Sequence, residues 1–206
     1  QNQALAAVLF LYRDVLELEV GFQLAPQRAH RTKRLPTVLT RPEVESLLGL
    51  LDGREQLIAK LLYGSGMRVG ECLSLRVKDL DFGHLQILVR DAKAAKDRRT
   101  ILPAVLVEPL QAHLTRVRNL HEMDLRRGLG AVSVPEALGR KYPSAATEWM
   151  WQYVFPGSRL HRGGSPDAPN RYPLHVSVMQ RAIRDAGRRA GIPKMVSPHT
   201  LRHSFA

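Results

Sequence analysis

One cysteine, Cys72, stands alone in 206 residues. A lone thiol excludes a disulfide within the chain and a cysteine-rich zinc site, and it points to a reducing, cytoplasmic setting. No apolar run is long enough to cross a bilayer. The longest, Ala4 to Tyr12, has no basic segment before it and is followed by Asp14, Glu17 and Glu19, so it does not read as a signal peptide. Aromatic residues are sparse, at 6%. Acidic residues are also scarce, 19 against 31 lysines and arginines, leaving a formal net charge of +12. Against these absences, a hydrophobic fraction of 44% is enough for a globular core and rules out wholesale disorder.

Such a positive excess calls for a polyanionic partner, and nucleic acid is the commonest. The charge is also clustered. Residues 26–41 carry +5, 90–100 carry +3 and 157–206 carry +7, whereas 1–25 and 42–89 carry −2 each. Clustering of this kind marks a binding surface, not uniform solubility tuning. The chain opens on Gln1 and stops at Ala206 inside an expected helix, so it reads as a piece of something longer.

Hydrophobic spacing predicts an amphipathic helix from Ala4 to Val20, with Leu5, Val8, Leu9, Tyr12, Val15 and Leu16 on one face. Residues 21–39 lose that period and hold Arg28, His30, Arg31, Lys33 and Arg34. They read as a basic linker or, equally on composition, a solvated surface loop. Thr40-Arg41-Pro42-Glu43 has the form of a capping box and starts a helix. A second helix is expected over about 56–63, broken by Gly64-Ser65-Gly66, and a third from about Met67. Residues 84–90 alternate as a strand and could pair with Thr100-Ile101-Leu102. Further helices are expected over about 104–127 and 176–190, and a last one begins at Ser197-Pro198.

Three places could carry chemistry. In Tyr63-Gly-Ser-Gly-Met-Arg-Val-Gly-Glu71, the glycines allow a tight turn that presents Arg68, and Glu71 lies one helical turn on, placed to orient the guanidinium. The plainer alternative is a surface ion pair. Between the two strands, the turn holding Lys93, Lys96 and Arg98 could reach a phosphate or donate a proton, or could simply keep a hairpin soluble. His199-Thr-Leu-Arg202 puts a ring donor and an arginine fork on one helix face, a pairing suited to phosphate oxygens. His199 and His203 could instead hold a metal, although no third ligand is evident.

The order Arg, Lys, His-x-x-Arg in a basic chain is more specific than its parts. With LPTVLTRPEV, LLYGSGMRVGECLSLRVKDLDF, KDRRTILP and SPHTLRHSFA, it resembles the tyrosine recombinase, or phage-integrase-type, family along essentially the whole chain. The stretch ALGRKYPSAATEWMWQYVFPGS is similar to the extra insert of integron integrases, here about 131–156. The resemblance implies an α+β, mainly helical catalytic domain with a small antiparallel sheet, C-terminally truncated. It assigns residues 1–25 to the last helix of an N-terminal core-binding domain, 26–39 to the linker and 40–206 to the catalytic domain. It also implies site-specific recombination that integrates and excises gene cassettes, through a 3′-phosphotyrosyl intermediate and without cofactor or metal. The expected partners are double-stranded sites, folded single-stranded cassette sites and other copies of the protein, assembled as a tetramer on DNA.

Carried onto this sequence, Arg68 and Arg202 would clamp the scissile phosphate, Lys93 would be the general acid and His199 would donate to the phosphate or assist proton transfer. Glu71 would support Arg68. Lys96, Arg98, Trp149, Trp151, His175, Arg181 and Arg188 are the expected DNA contacts. The departures are specific. Tyr12, Tyr63, Tyr142, Tyr153 and Tyr172 all precede Arg202, so none matches the family's nucleophile, and these residues by themselves are expected to bind DNA without cutting it. Ala92 and Ala94 replace two glycines of the family's lysine turn, which leaves Lys96 as a fallback acid. Asn170-Arg-Tyr-Pro-Leu-His175 replaces the paired histidines common in integron integrases. Trp149, Trp151 and Tyr153 could stack on unpaired bases or pack into the core, and core packing is expected of at least one. Rival classes are a non-catalytic nucleic-acid-binding module and a metal-dependent nuclease.

Overall fold

In the computed structural model, which describes residues 2–18, 36–90, 97–160 and 171–205, the chain divides into two units, Gln1–Leu35 and Pro36–Ala206. The first unit holds helix α1, Asn2–Phe10, followed by a π-helical turn over Leu11–Val15. The helix expected to run to Val20 is therefore shorter. Its end widens to the register of Leu16 N–H donating to Leu11 O at 2.9 Å, and Glu17, at φ 50, takes the chain out of helical geometry. Val8, Tyr12, Val15 and Leu16 of the predicted apolar face are exposed.

The second unit begins with helix α2, Arg41–Gly49. Thr40 caps it as its sequence predicts: Glu43 reaches back to the Thr40 N–H at 2.7 Å and to its hydroxyl at 3.1 Å. Helix α3, Gly53–Ser65, follows, then the short α4, Val69–Leu73. Gly64 and Ser65 stay helical, so the break falls on Gly66 alone, whose φ of 64 is the left-handed cap that glycine adopts without a Cβ penalty.

A three-stranded antiparallel sheet comes next, with β1 Leu80–Asp81, β2 Gln86–Val89 and β3 Arg98–Ile101 in the order β1-β2-β3. Val89 faces Arg98 and Ile87 faces Thr100. The pairing of the two longer strands follows from the alternation in the sequence. Strand β1 was not expected, because two residues carry no readable period; Asp81 secures it by accepting the His84 N–H at 2.8 Å in the turn. Helix α5, Val107–Leu125, leads into residues 131–156, which form helix α6, Glu136–Lys141, and two 3-10 turns, Pro143–Thr147 and Trp149–Trp151. Helices α7, Val176–Arg189, and α8, Pro198–His203, complete the unit.

Helix α3 is central, and α2, α4, α5, α7, α8 and β3 all pack on it. Its Ile58, Leu61 and Leu62 are fully buried, with Leu47, Met67, Ile87, Leu110, Phe155, Met179, Ile183 and Leu201 around them. Burial of so many side chains, each worth about 1.5–3 kcal/mol, fixes where the ends of α3, α4 and α8 meet. Strand β3 joins the same place, because Thr100 Oγ1 donates to Ser65 O at 2.8 Å.

Candidate functional site: an arginine cluster on one carboxylate

The site lies where α4, β3 and α8 converge. Met67 is buried, which pins the chain just after the Gly66 turn. Arg68 then occupies the N-cap position of α4 in extended geometry, and Glu71 falls at the third helical position. From there Glu71 Oε2 accepts the Arg68 N–H at 2.7 Å, while Oε1 accepts Arg68 Nη1 at 2.7 Å. The same carboxylate therefore caps the helix and orients the side chain that precedes it.

Arg98, the first residue of β3, approaches Glu71 from the other side. Its Nη1 donates to Oε1 at 3.0 Å and its Nη2 to Oε2 at 2.8 Å, a two-pronged pairing. Arg202 arrives on α8, with Nη1 3.7 Å from Oε2, a charge contact too long for a hydrogen bond. Three guanidinium groups thus share one carboxylate. Burial acts to raise the Glu71 pKa, but the hydrogen bonds from Arg98 and Arg68 outweigh it and hold the value at about 2. Burial, with the charge of Arg68 next, pulls the Arg202 pKa down from its ordinary value, and Glu71 opposes that pull. Arg202 Nη1 is buried and has no hydrogen-bond partner among the described residues. An unpaired cationic donor is costly unless an acceptor arrives, and a surplus of guanidinium charge of this kind suits an oxyanion.

His199 lies one turn before Arg202 on α8 and is exposed, with its ring edge-on to His203 at 5.3 Å between centroids. Ser197 caps α8, accepting the Thr200 N–H at 3.4 Å, with Pro198 in the first turn. Lys93 and Lys96, the two candidates for general acid, lie outside the described residues. Among the described residues no group of three metal-ligating side chains occurs.

The other candidate contacts are spread more widely. Trp149 and Trp151 are half-buried. The Trp149 ring lies 6.1 Å from that of His121, and Lys78 Nζ stands 2.7 Å from the centroid of the Trp151 ring. Tyr153 is the one that packs inward: it is 7% exposed, lies under the Arg76 guanidinium at 3.9 Å, and its hydroxyl accepts from Arg76 Nη2 at 3.1 Å. A cleft of about 370 Å³ is lined by Glu71, Lys78, Arg90, Trp151 and Tyr153. His175 is turned to a local task, accepting the Ser177 N–H at 3.3 Å at the start of α7. Arg181 and Arg188 are exposed on α7, and Arg188 lies 3.9 Å from Asp185.

Sequence reasoning placed Arg98 on DNA and missed its pairing with Glu71; 27 residues separate the two, and no local pattern signals such a contact. It also missed the buried ion pair of Asp124 and Arg171, in which Arg171 Nε donates to Asp124 Oδ2 at 3.0 Å. That pair ties α5 to the segment leading into α7.

The chain is 44% identical over 205 residues to an Escherichia coli protein named integrase/recombinase, covering all of this chain and 61% of that protein. It is 32% identical over 177 residues to the tyrosine recombinase XerA of Thermococcus onnurineus, covering 84% of this chain and 49% of that protein. The crystal structure of XerA recombinase is similar in shape, with a TM-score of 0.55 and 28% identity, covering 97% of this chain and 57% of that chain. The chain therefore spans about half to three-fifths of the length of these relatives. Residues 37–206 match the family described as phage integrase, and the chain belongs to that family.

Proposed function

We propose that the parent protein is a tyrosine-type, site-specific DNA recombinase and that Arg68 and Arg202 hold the scissile phosphate. The observation that carries this is the buried, unpartnered Nη1 of Arg202 beside guanidinium groups already fixed on Glu71. A phosphodiester under attack gathers negative charge on its non-bridging oxygens. Donors fixed in advance at such a position are each worth about 2.7–4 kcal/mol of barrier. His199, exposed and one turn from Arg202, would supply a further donor, and Lys93 would protonate the leaving 5′-oxygen.

Cleavage is assigned to the longer protein, in which a tyrosine beyond Arg202 would form the 3′-phosphotyrosyl link. Residues 1–206 are proposed to bind DNA without cutting it. Similarity of residues 131–156 to the insert of integron integrases favours gene cassettes as the recombined elements. Folded single-stranded cassette sites and paired duplex sites would then be the substrates, with four protomers assembled on them. The basic surface, with exposed Arg181 and Arg188 on α7, supports the DNA partner.

The test has two arms. Duplex binding by residues 1–206 should weaken with salt at a slope near −0.9 per phosphate contacted, and Arg202→Ala should weaken it further. The parent protein, incubated with a nicked copy of its site, should yield a covalent protein–DNA adduct that forms equally well in EDTA. Affinity indifferent to salt, or cleavage abolished by EDTA, would sink the reading.

A further inference from the structure

Glu71 has no acceptor capacity to spare. A carboxylate offers about four lone-pair sites, and four donors occupy them: the Arg68 N–H, Arg68 Nη1, Arg98 Nη1 and Arg98 Nη2. Arg98 takes half. Arg202 Nη1, 3.7 Å from Oε2, is thereby left buried without a hydrogen-bond partner among the described residues although it faces an anion. The charge balance makes the same point. Three guanidinium groups face one carboxylate, which leaves a net charge of two positive for an incoming phosphate.

We propose that Arg98 is a positioning residue: by saturating Glu71 it keeps Arg202 from closing onto that carboxylate and so keeps Arg202 available to the phosphate. This rests on the recombinase reading for the identity of the anion, and it differs from a direct contact of Arg98 with DNA. Without Arg98 the two vacated sites on Glu71 are the nearest acceptors for Arg202. Arg202 then pairs with Glu71, and the cluster carries one positive charge less. Neutralising Glu71 in that background removes the competitor and restores the charge.

The deciding measurement is a set of variants read by affinity for a short duplex of fixed sequence at fixed salt. Arg98→Ala and Arg202→Ala should each weaken binding about tenfold, the scale of a lost charge-assisted hydrogen bond. Arg202→Ala added to Arg98→Ala should cost little more. Glu71→Gln added to Arg98→Ala should restore most of the affinity. A crystal structure of the Arg98→Ala variant should show Arg202 hydrogen-bonded to Glu71, at about 2.8 Å. Should Arg98→Ala fail to fold in a thermal melt, Arg98→Lys keeps the charge without the fork and is expected to give the same pattern, weaker.

Failure of Glu71→Gln to restore binding, where Arg202→Ala alone is harmful, overturns the proposal. In that event a salt slope lowered by about 0.9 in Arg98→Ala would assign Arg98 to DNA instead. A harmless Arg202→Ala in the unaltered background overturns the phosphate-clamp reading itself, and with it the proposal. The crystal structure then reports separately whether Arg98 controls Arg202.

Discussion

The backbone N–H of Leu39 donates to the hydroxyl of Ser204 at 2.8 Å, joining positions 165 residues apart inside the core. Ser204 Oγ in turn donates to Thr200 O at 2.8 Å, so one side chain closes the end of α8 and holds the strand of chain that precedes α2. Lys194 reinforces the junction, donating to Glu43 Oε2 at 2.7 Å and to Val38 O at 3.2 Å. The helix that carries His199 and Arg202 is thus fastened to the first described residues of its own unit.

Ser204→Ala is expected to cost about 1–3 kcal/mol, because it leaves the buried Leu39 N–H without an acceptor. Urea unfolding of residues 1–206 measures it. Duplex affinity should fall as well, since α8 loses its anchor. Unchanged unfolding would mean that water replaces the hydroxyl and that α8 is held by packing alone.

The distance of that contact in sequence shows what could be read in advance and what could not. Thr40 with Glu43, Arg68 with Glu71, and Ser197 with Pro198 are local. Their partners lie within one helical turn, so residue type and spacing were enough to place the starts of α2, α4 and α8. The pairing of β2 with β3 was also legible, because Ile87 and Val89 alternate with less buried neighbours. What escaped was long-range. Arg98 meets Glu71, and Arg171 meets Asp124, only after the core has brought their elements together. Residues 19–35, 91–96 and 161–170 lie outside the described residues, so the basic linker segment and the lysine turn stand as sequence expectations.

The Asp124–Arg171 pair gives a second expectation. Both side chains are nearly inaccessible, and Arg171 also donates to Gly157 O at 2.8 Å. Arg171→Met alone should destabilise by about 3–5 kcal/mol, because it strands a buried carboxylate. Adding Asp124→Leu should recover part of that loss but not all, since the Gly157 carbonyl stays unpaired. If the double variant is no more stable than the single one, the ion pair is not the source of the loss.

Acid should weaken the fold before it reaches the carboxylates. Burial lowers the pKa of His113 and His121 from the ordinary 6.5, although each ring donates to a carbonyl, Val154 O at 2.8 Å and Thr147 O at 2.9 Å. The unfolded chain therefore takes up protons first. Stability from the neutral rings is full above 6.5 and declines as pH falls through their folded values. Glu71 acts in a lower window, its contribution being lost between its ordinary 4.5 and about 2. The melting temperature should drop as the pH falls below the ordinary histidine value of 6.5, and His113→Gln or His121→Gln should flatten that slope. An unchanged slope in both variants would assign the effect elsewhere.

Trp151 is the residue on which base recognition can be separated from charge. Its ring is only half-buried and is covered by Lys78, while its backbone O accepts Arg76 Nη1 at 2.7 Å. The segment around it is held by other means: Val77 N–H donates to Gln152 O at 3.0 Å, Val154 N–H donates to Leu75 O at 2.9 Å, and Val154 and Phe155 are fully buried. Trp151→Ala should therefore cost little more than the cation–π contact, about 0.5–2 kcal/mol. A flat ring beside a basic cleft suits stacking on an unpaired base, worth about 1–3 kcal/mol. Binding of Trp151→Ala to a folded hairpin with extrahelical bases should then fall more than binding to plain duplex of equal length. Equal losses on the two, or a large drop in melting temperature, would make Trp151 a brace for the segment and not a contact for DNA.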